Sequence, residues 1–232
     1  EYSLDKLLKE LVKIDGLEWI RLFYCYPQRI TDSLIDVIAN EDKVCKYIDI
    51  PLQHSDTTVL KNMNRVGDGN DYRVLLNKMR EAIPGLALRT TFMVGFPGET
   101  DEQFENLCEF VKDMKFDKMG CFTFSPEEDT PAFDMDNQID EDVKKRRQEV
   151  LMNAQFFITE ASNKGRVGNV YKVIVDSFAD GKYTGRSYMD SPEIDSGIIF
   201  TSNKELNIGD FVDVKITDFD GYDLIGEHYE FT

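Results

Sequence analysis

Leu88-Arg89-Thr90-Thr91-Phe92-Met93-Val94-Gly95-Phe96-Pro97-Gly98-Glu99-Thr100 decides how this chain is read. It opens as a buried strand, passes through a turn with two glycines, and ends where a helix begins. Alternation along the strand from Leu86 to Val94 sends Arg89, Thr91 and Met93 to one face and Leu88, Thr90, Phe92 and Val94 to the other. In a barrel the first set faces the lumen and the second faces the outer helices. Gly95 and Gly98 reach backbone angles closed to other residues and let a ligand approach the main chain. Thr100 with Gln103 three residues on is the capping-box pattern, so a helix starts there with free N–H groups and a positive dipole end. An anion such as a carboxylate would find Arg89 below and those amides above. The same residues also read as a plain strand-to-helix turn, with a lumen arginine paired to a structural carboxylate.

Working outward, strands and helices alternate. Residues 3–15 read as a helix, with Ser3 as N-cap and Leu4, Leu7, Leu8, Leu11 and Val12 as its apolar stripe. Trp19 to Tyr24 is a strand, Thr31 caps a helix to about Asn40, and Tyr47 to Leu52 is the next strand. Helices follow from about Asp56 to Met63 and from Asp71 to Ile83, where Pro84-Gly85 stops the second. Phe116 to Phe124 is a fourth strand. This βα repeat is the pattern of a parallel sheet or barrel. Four units are too few for a closed eight-stranded barrel, and a six-stranded partial barrel would lack two units at the front. Asp140 to Asn163 reads as one long helix with Val143, Val150, Leu151, Ala154, Phe157 and Ala161 near one face, stopped by Gly165. Beyond a boundary near 164, five short strands with glycine or aspartate between them predict a small all-β barrel, residues 165–232.

An apolar content of 41% fits a folded protein rather than a disordered one. No apolar run approaches the roughly 18 residues of a membrane span, and no signal peptide is visible, so a cytoplasmic protein is expected. The chain opens at Glu1 with residues that resemble the body of a helix, which predicts a fragment or a processed chain. The net charge of −17 repels phosphate backbones and attracts basic partners, or serves solubility. Cys25, Cys45, Cys108 and Cys121 lack the short spacing of a metal motif and read as reduced core cysteines. With only His54 and His228 present, histidine-rich metal sites are excluded. No serine–histidine–aspartate set or phosphate-binding Walker loop can be assembled.

Other candidates sit where strands end, as ligand sites in βα folds do. His54 could act as a base or ligand, or hydrogen-bond within its loop. Asp49 and Gln53 share a face and could reach ligand hydroxyls. Tyr24 and Tyr26 could stack on a ligand or pack in the core. The acidic loop Glu127-Glu128-Asp129 could touch a basic substrate or be a solvated turn. Lys144-Lys145-Arg146-Arg147 reads as a solvated helix face.

At Pro51-Leu52-Gln53-His54, Leu88-Arg89-Thr90-Thr91, Val94-Gly95-Phe96-Pro97-Gly98-Glu99-Thr100 and Phe124-Ser125-Pro126-Glu127-Glu128-Asp129-Thr130 the chain resembles the radical S-adenosylmethionine (SAM) methylthiotransferases. Tyr183-Thr184-Gly185-Arg186-Ser187, Ser191-Pro192-Glu193-Ile194-Asp195 and Tyr222-Asp223-Leu224 resemble their TRAM domain. Gln53-His54 and the Glu127-Glu128-Asp129 loop are most similar to the branch that modifies an aspartate of ribosomal protein S-twelve. From Arg166 to Thr232 there are 13 acidic and 6 basic side chains, a net of −7, which fits a basic protein partner better than RNA.

The resemblance implies a TIM-like (β/α)6 radical SAM barrel lacking its first strands, residues 1–164, followed by the TRAM barrel. It implies SAM and two 4Fe-4S iron–sulfur clusters for the full-length family. Both sets of cluster cysteines are missing here, so this chain alone is expected to be inactive, because the electron for SAM cleavage comes through a cluster. For SAM it points to Arg89 at the carboxylate, Gln53 at the ribose, and Thr91 and the Val94-Gly95-Phe96 backbone nearby. Toward the substrate it points to Tyr24, His54, Glu127, Glu128 and Asp129. Two other readings stand beside it: the same chemistry on a tRNA adenosine, and a non-catalytic acidic module that docks a basic partner.

Overall fold

A computed structural model describes residues 3–230. The chain divides into two compact units, Glu1–Gln155 and Phe156–Thr232, and the longest helix runs through that division rather than ending at it.

The first unit carries α1 (Leu4–Leu11), β1 (Ile20–Leu22), α2 (Asp32–Asn40), β2 (Val44–Asp49), α3 (Thr57–Asn62), α4 (Gly69–Ala82), β3 (Ala87–Val94), α5 (Asp101–Met114), β4 (Lys118–Thr123) and the start of α6 (Glu141–Arg166). Its strands form one sheet in the order β1-β2-β3-β4, parallel throughout. Helix starts follow local chemistry. Thr31 Oγ1 accepts the Leu34 N–H at 3.2 Å, and Thr100 and Gln103 make both halves of the capping box. The first helix is shorter than its leucine pattern predicts: Leu8 is buried, whereas Leu4 and Leu7 stay exposed. Strand β2 begins and ends three residues earlier than expected. Pro51 has no N–H to give a ladder, and contact with β3 resumes at Gln53, bridged to Phe92.

Strand β3 alternates as its sequence predicts. Leu88, Phe92 and Val94 are fully buried, while Arg89, Thr91 and Met93 are half-buried. Phe92 meets Phe110 of α5 and Phe116 edge to face, at 6.2 and 5.8 Å between ring centres, so the helices cover this face of the sheet.

Helix α6 departs from expectation. Its apolar residues do not form the inward stripe: Val150 and Phe157 are exposed, and Leu151 alone of the six is fully buried. The inward face is mostly polar, with Lys144, Arg147 and Gln155 buried. Strand β4 closes the sheet on one side, so its outward carbonyls need donors from elsewhere. Gln148 Nε2 donates to the Cys121 carbonyl of β4 at 2.6 Å, and Gln155 Nε2 to the Phe116 carbonyl just ahead of the strand at 2.8 Å. The reading of residues 144–147 as a solvated face is corrected by the same geometry. Residues three apart share a helix face, so Lys144 and Arg147 turn inward while Lys145 and Arg146 face water. Gly165 does not stop the helix, which continues to Arg166 ahead of Gly168 with φ +92°.

The second unit is a closed barrel of β5 (Val170–Ala179), β6 (Lys182–Arg186), β7 (Ile198–Thr201), β8 (Phe211–Asp220) and β9 (Asp223–His228), in the order β5-β6-β7-β9-β8. Val173, Val175, Tyr183, Ile198, Phe200, Val214, Ile216 and Leu224 fill it. The register shifts between Val175 and Ser177 beside Gly185, and between Ile216 and Asp218 beside Gly226. Such irregularities with glycine bend strands so that a small barrel can close. A Cβ at Gly185 would lie 2.4 Å from the Ile174 carbonyl oxygen, and one at Gly226 would lie 2.6 Å from that of Lys215. Gly185→Ala is therefore expected to destabilise the barrel by about 2 kcal/mol through forced backbone movement. Urea unfolding of the variant checks this, and an unchanged midpoint would show that the strands separate freely.

Candidate functional site

The carboxyl ends of β1, β2, β3 and β4 lie on one side of the sheet, as parallel pairing requires. Tyr24 at φ 54° and Gln53 at φ 69° hold left-handed backbone angles there without being glycine. Such conformations cost free energy and persist where surrounding bonds fix them. The Tyr24 N–H donates to Asp49 Oδ2 at 3.1 Å. The Gln53 N–H donates to the Thr91 carbonyl, and its carbonyl accepts from Met93, both at 2.8 Å. Tyr24 points its ring to solvent at 76% exposure, and Tyr26 is also exposed, so core packing of these tyrosines is not what the fold uses.

A cavity of about 570 Å³ opens at this end. Gln53 from the end of β2, Met93 from β3, Phe96 from the glycine turn and Phe124 beyond β4 line it, together with Met63, Arg65, Glu127 and Met135. Phe96 and Phe124 meet edge to face at 5.0 Å between ring centres. Among the candidates drawn from the sequence, Gln53, Phe96 and Glu127 border this space. Arg89, Thr91, Val94, Gly95, Tyr24, His54, Glu128 and Asp129 are not among its lining residues.

Arg89 is paired. In the β2–β3 register Asp49 stands opposite Arg89, and Arg89 Nη1 donates to Asp49 Oδ1 at 2.9 Å. The Asp49 side chain is 1% exposed and that of Arg89 12%. Thr91 Oγ1 lies 3.5 Å from the same guanidinium nitrogen.

The amides expected to be free in the glycine turn are engaged. Glu99 Oε2 accepts from Gly95 N–H at 2.5 Å and Phe96 N–H at 3.3 Å. The Gly98 N–H donates to the Asn137 carbonyl, and Thr100 and Gln103 N–H groups serve the capping box. The chain's own carboxylate thus occupies the nest that the sequence offers to an outside anion. Glu99 is held in turn by α6: Arg147 Nη1 donates to its Oε1 at 3.2 Å and its carbonyl at 3.1 Å, and Nη2 donates to Asp101 Oδ1 at 2.7 Å. Burial pushes the Glu99 carboxyl up, and Arg147 is the first of the influences that oppose it. Lys144 packs against the turn so closely that a Cβ at Gly95, φ +75°, would sit 2.3 Å from Lys144 Cγ. Glu99, Arg147 and Lys144 were not singled out as site-building residues in the sequence. The i, i+3 spacing of the two cations is the signal that could have exposed them.

His54 is fully buried. Its Nδ1 accepts the Asp56 N–H at 2.9 Å, so the ring proton sits on Nε2, which has no partner among the described residues. Burial, ahead of the opposing Asp56 carboxylate, holds its pKa down at about 4. The ring is neutral at physiological pH, and His54 does not line the cavity.

Residues 2–111 match the Radical SAM superfamily and residues 167–228 match the TRAM domain. The fold agrees with the chain of coproporphyrinogen III oxidase (HemN) from Escherichia coli, a radical SAM enzyme, at a TM-score of 0.54 and 15% identity over 80% of this chain and 50% of that one. The sheet and the closed barrel are therefore those of a radical SAM protein with a TRAM domain. The chain is 49% identical over 228 residues to the ribosomal protein uS12 methylthiotransferase RimO of Thermoanaerobacter sp. (strain X514), covering 98% of this chain and 52% of that protein. It is 50% identical over 226 residues to the RimO of Clostridium novyi (strain NT), covering 97% and 51%. The chain belongs to the radical SAM methylthiotransferases of the RimO type. It spans about half the length of the curated relatives it matches.

The family uses SAM and iron–sulfur chemistry. The cysteines here do not suit a cluster. Burial pushes the thiols of Cys25 and Cys108 up to about 11 and that of Cys121 to about 12, and it raises Cys45. Cluster ligation takes thiolates. No group of three or more metal-binding side chains occurs among the described residues. The cavity does suit a nucleoside with an amino-acid tail: its volume is within the usual range for small-molecule sites, and methionine and phenylalanine side chains share its wall with polar ones such as Gln53, Asn62 and Arg65.

Proposed function

We propose that this chain forms one wall of the SAM cavity, and the TRAM module, of an enzyme that adds a methylthio group to an aspartate of ribosomal protein S-twelve. The cavity at the strand ends, in a chain about half identical to proteins named for that reaction, is the observation that carries this reading. SAM, when bound, supplies the radical chemistry. Met63, Met93, Phe96 and Phe124 exclude water around it, and the Gln53 amide is positioned to hydrogen-bond ribose hydroxyls. Glu99 and Arg147 position the turn that carries Phe96. Arg89 and Thr91 act through Asp49, which anchors the end of β1 at Tyr24. Glu127 at the cavity and the exposed Glu128 and Asp129 face a basic substrate.

Two 4Fe-4S clusters complete the enzyme, and the cysteines of this chain hold neither. A TRAM segment with net charge −7 favours a basic protein partner over RNA. No helix among the described residues is long and apolar enough to cross a membrane, and a ribosomal substrate puts the reaction in the cytoplasm.

The isolated chain, incubated with SAM and a strong reductant, is expected to release no 5′-deoxyadenosine. The full-length protein with reconstituted clusters is expected to methylthiolate S-twelve, read as a mass increase of the protein. Modification of tRNA in place of S-twelve by that full-length protein would overturn the substrate assignment. SAM cleavage by the isolated chain would overturn the assignment of the clusters to residues outside it.

A further inference from the structure

We propose that Arg65 receives the carboxylate of the target side chain, and so selects an acid over its amide. The proposal rests on the function above and adds a specificity residue to it. Arg65, in the segment between α3 and α4, is the one cation among the residues that line the cavity, and Glu127 is the one anion. Its guanidinium has two tethers. Nη1 donates to the Pro51 carbonyl at 3.1 Å, and the group lies over the Tyr26 ring, 5.4 Å from its centre. Neither tether is an anion. Arg89 on β3 is already neutralised by the buried Asp49, and Arg147 at the glycine turn by Glu99 and Asp101. A carboxylate entering the cavity therefore gains more at Arg65.

The chemistry of the position agrees. A guanidinium presents a planar fork of donors that matches both oxygens of a carboxylate, and the Pro51 carbonyl takes only part of that fork. Its contact with the Tyr26 ring restrains the guanidinium before a ligand arrives. The neighbouring wall of Met63, Met93 and Phe124 lowers the local dielectric, which strengthens the pairing and penalises an unpaired charge. A site built around such a group rejects a neutral isostere far more strongly than a purely apolar pocket does. Tyr26 is 42% exposed, so Arg65 is stacked at the open side, where a protein substrate arrives. SAM also brings a carboxylate, and the test separates the two.

The test uses the full-length holoenzyme with S-twelve carrying either its target aspartate or asparagine at that position, and reads binding by anisotropy without turnover. Wild-type enzyme is expected to prefer the aspartate form at least tenfold. Arg65→Gln is expected to reduce that preference to within twofold and to leave SAM affinity, measured by equilibrium dialysis, within twofold of wild type. Arg65→Lys keeps the charge without the fork, and Tyr26→Leu keeps the fork without its platform; each is expected to retain part of the preference, which serves if the glutamine variant folds poorly. An unchanged preference in all three variants overturns the proposal. So does a tenfold loss of SAM affinity with the preference intact, which would give Arg65 to the cofactor. A wild-type holoenzyme that neither binds nor modifies S-twelve overturns the function itself, whereas one that modifies it while the Arg65 variants discriminate normally overturns this assignment alone.

Discussion

Replacing Arg147 with methionine is expected to lower the stability of the sheet-bearing unit by about 3–5 kcal/mol, the range for removing one partner of a buried ion pair. The Arg147 side chain is 5% exposed and that of Glu99 is fully buried. Arg147 is the cation that faces Glu99 there, and it also holds the Glu99 carbonyl and Asp101. Methionine fills much of the space against Phe104 but leaves a carboxylate in the interior without its counter-charge. Burial already raises the Glu99 carboxyl, so in the variant it should take up a proton nearer to neutral pH. A second substitution, Glu99→Gln, removes the stranded charge, and the double variant should be more stable than Arg147→Met alone. Urea unfolding measures both. A loss below about 1 kcal/mol would mean that water reaches Glu99 and that the pair is not buried in solution.

Acid is expected to destabilise the same unit through His54, by an amount approaching about 3 kcal/mol. The folded ring titrates at about 4 against an ordinary 6.5. Between those values the unfolded chain binds a proton that the folded one does not, so stability falls as pH drops from 6.5 to 4. Above 6.5 both states hold a neutral ring and His54 contributes no slope; below 4 both are protonated and the loss is complete. Glu99 works in the opposite sense, since a raised carboxyl favours the folded state less as pH rises above its unfolded value. His54→Asn keeps an acceptor near the Asp56 N–H and removes the titration. The difference between wild type and variant, followed by unfolding from pH 4 to pH 7, isolates His54 because Glu99 is common to both. Parallel curves across that range would show that the ring is solvated.

Legibility in the sequence follows the range over which each signal acts. Thr31, Thr100 and Gln103 act on amides within three residues, and the helices begin where those residues predict. The alternation in β3 was readable because its period is local and its two faces differ in polarity. The five barrel strands were readable from turn residues, although the near approach of Gly185 to Ile174 belongs to closure and has no local sign. What escaped depended on partners far along the chain. Gln148 meets a carbonyl 27 residues away, and Arg147 meets Glu99 at a separation of 48. Hydropathy reads a glutamine or arginine on a helix as a solvent-facing residue, so the inward face of α6 was assigned to the wrong side chains. For Arg89 the sequence left two roles open, ligand contact or a carboxylate pair. The geometry supplies the pair, because Asp49 and Arg89 meet only through the β2–β3 register. The fold class and family lay in short motifs that the whole chain carries in order; the cavity's cation, Arg65, carried no motif at all.

The carboxylate under the glycine turn has a consequence for competition. A turn whose amides were open would draw in any phosphate, and phosphorylated nucleotides share their adenosine with SAM. Here Glu99 occupies those donors from within, and Arg147 balances its charge. A phosphate tail gains nothing from that turn, because the donors it would seek are already filled. In the proposed SAM cavity, that turn would therefore favour no phosphorylated relative of SAM, and it would do so without movement or a second site.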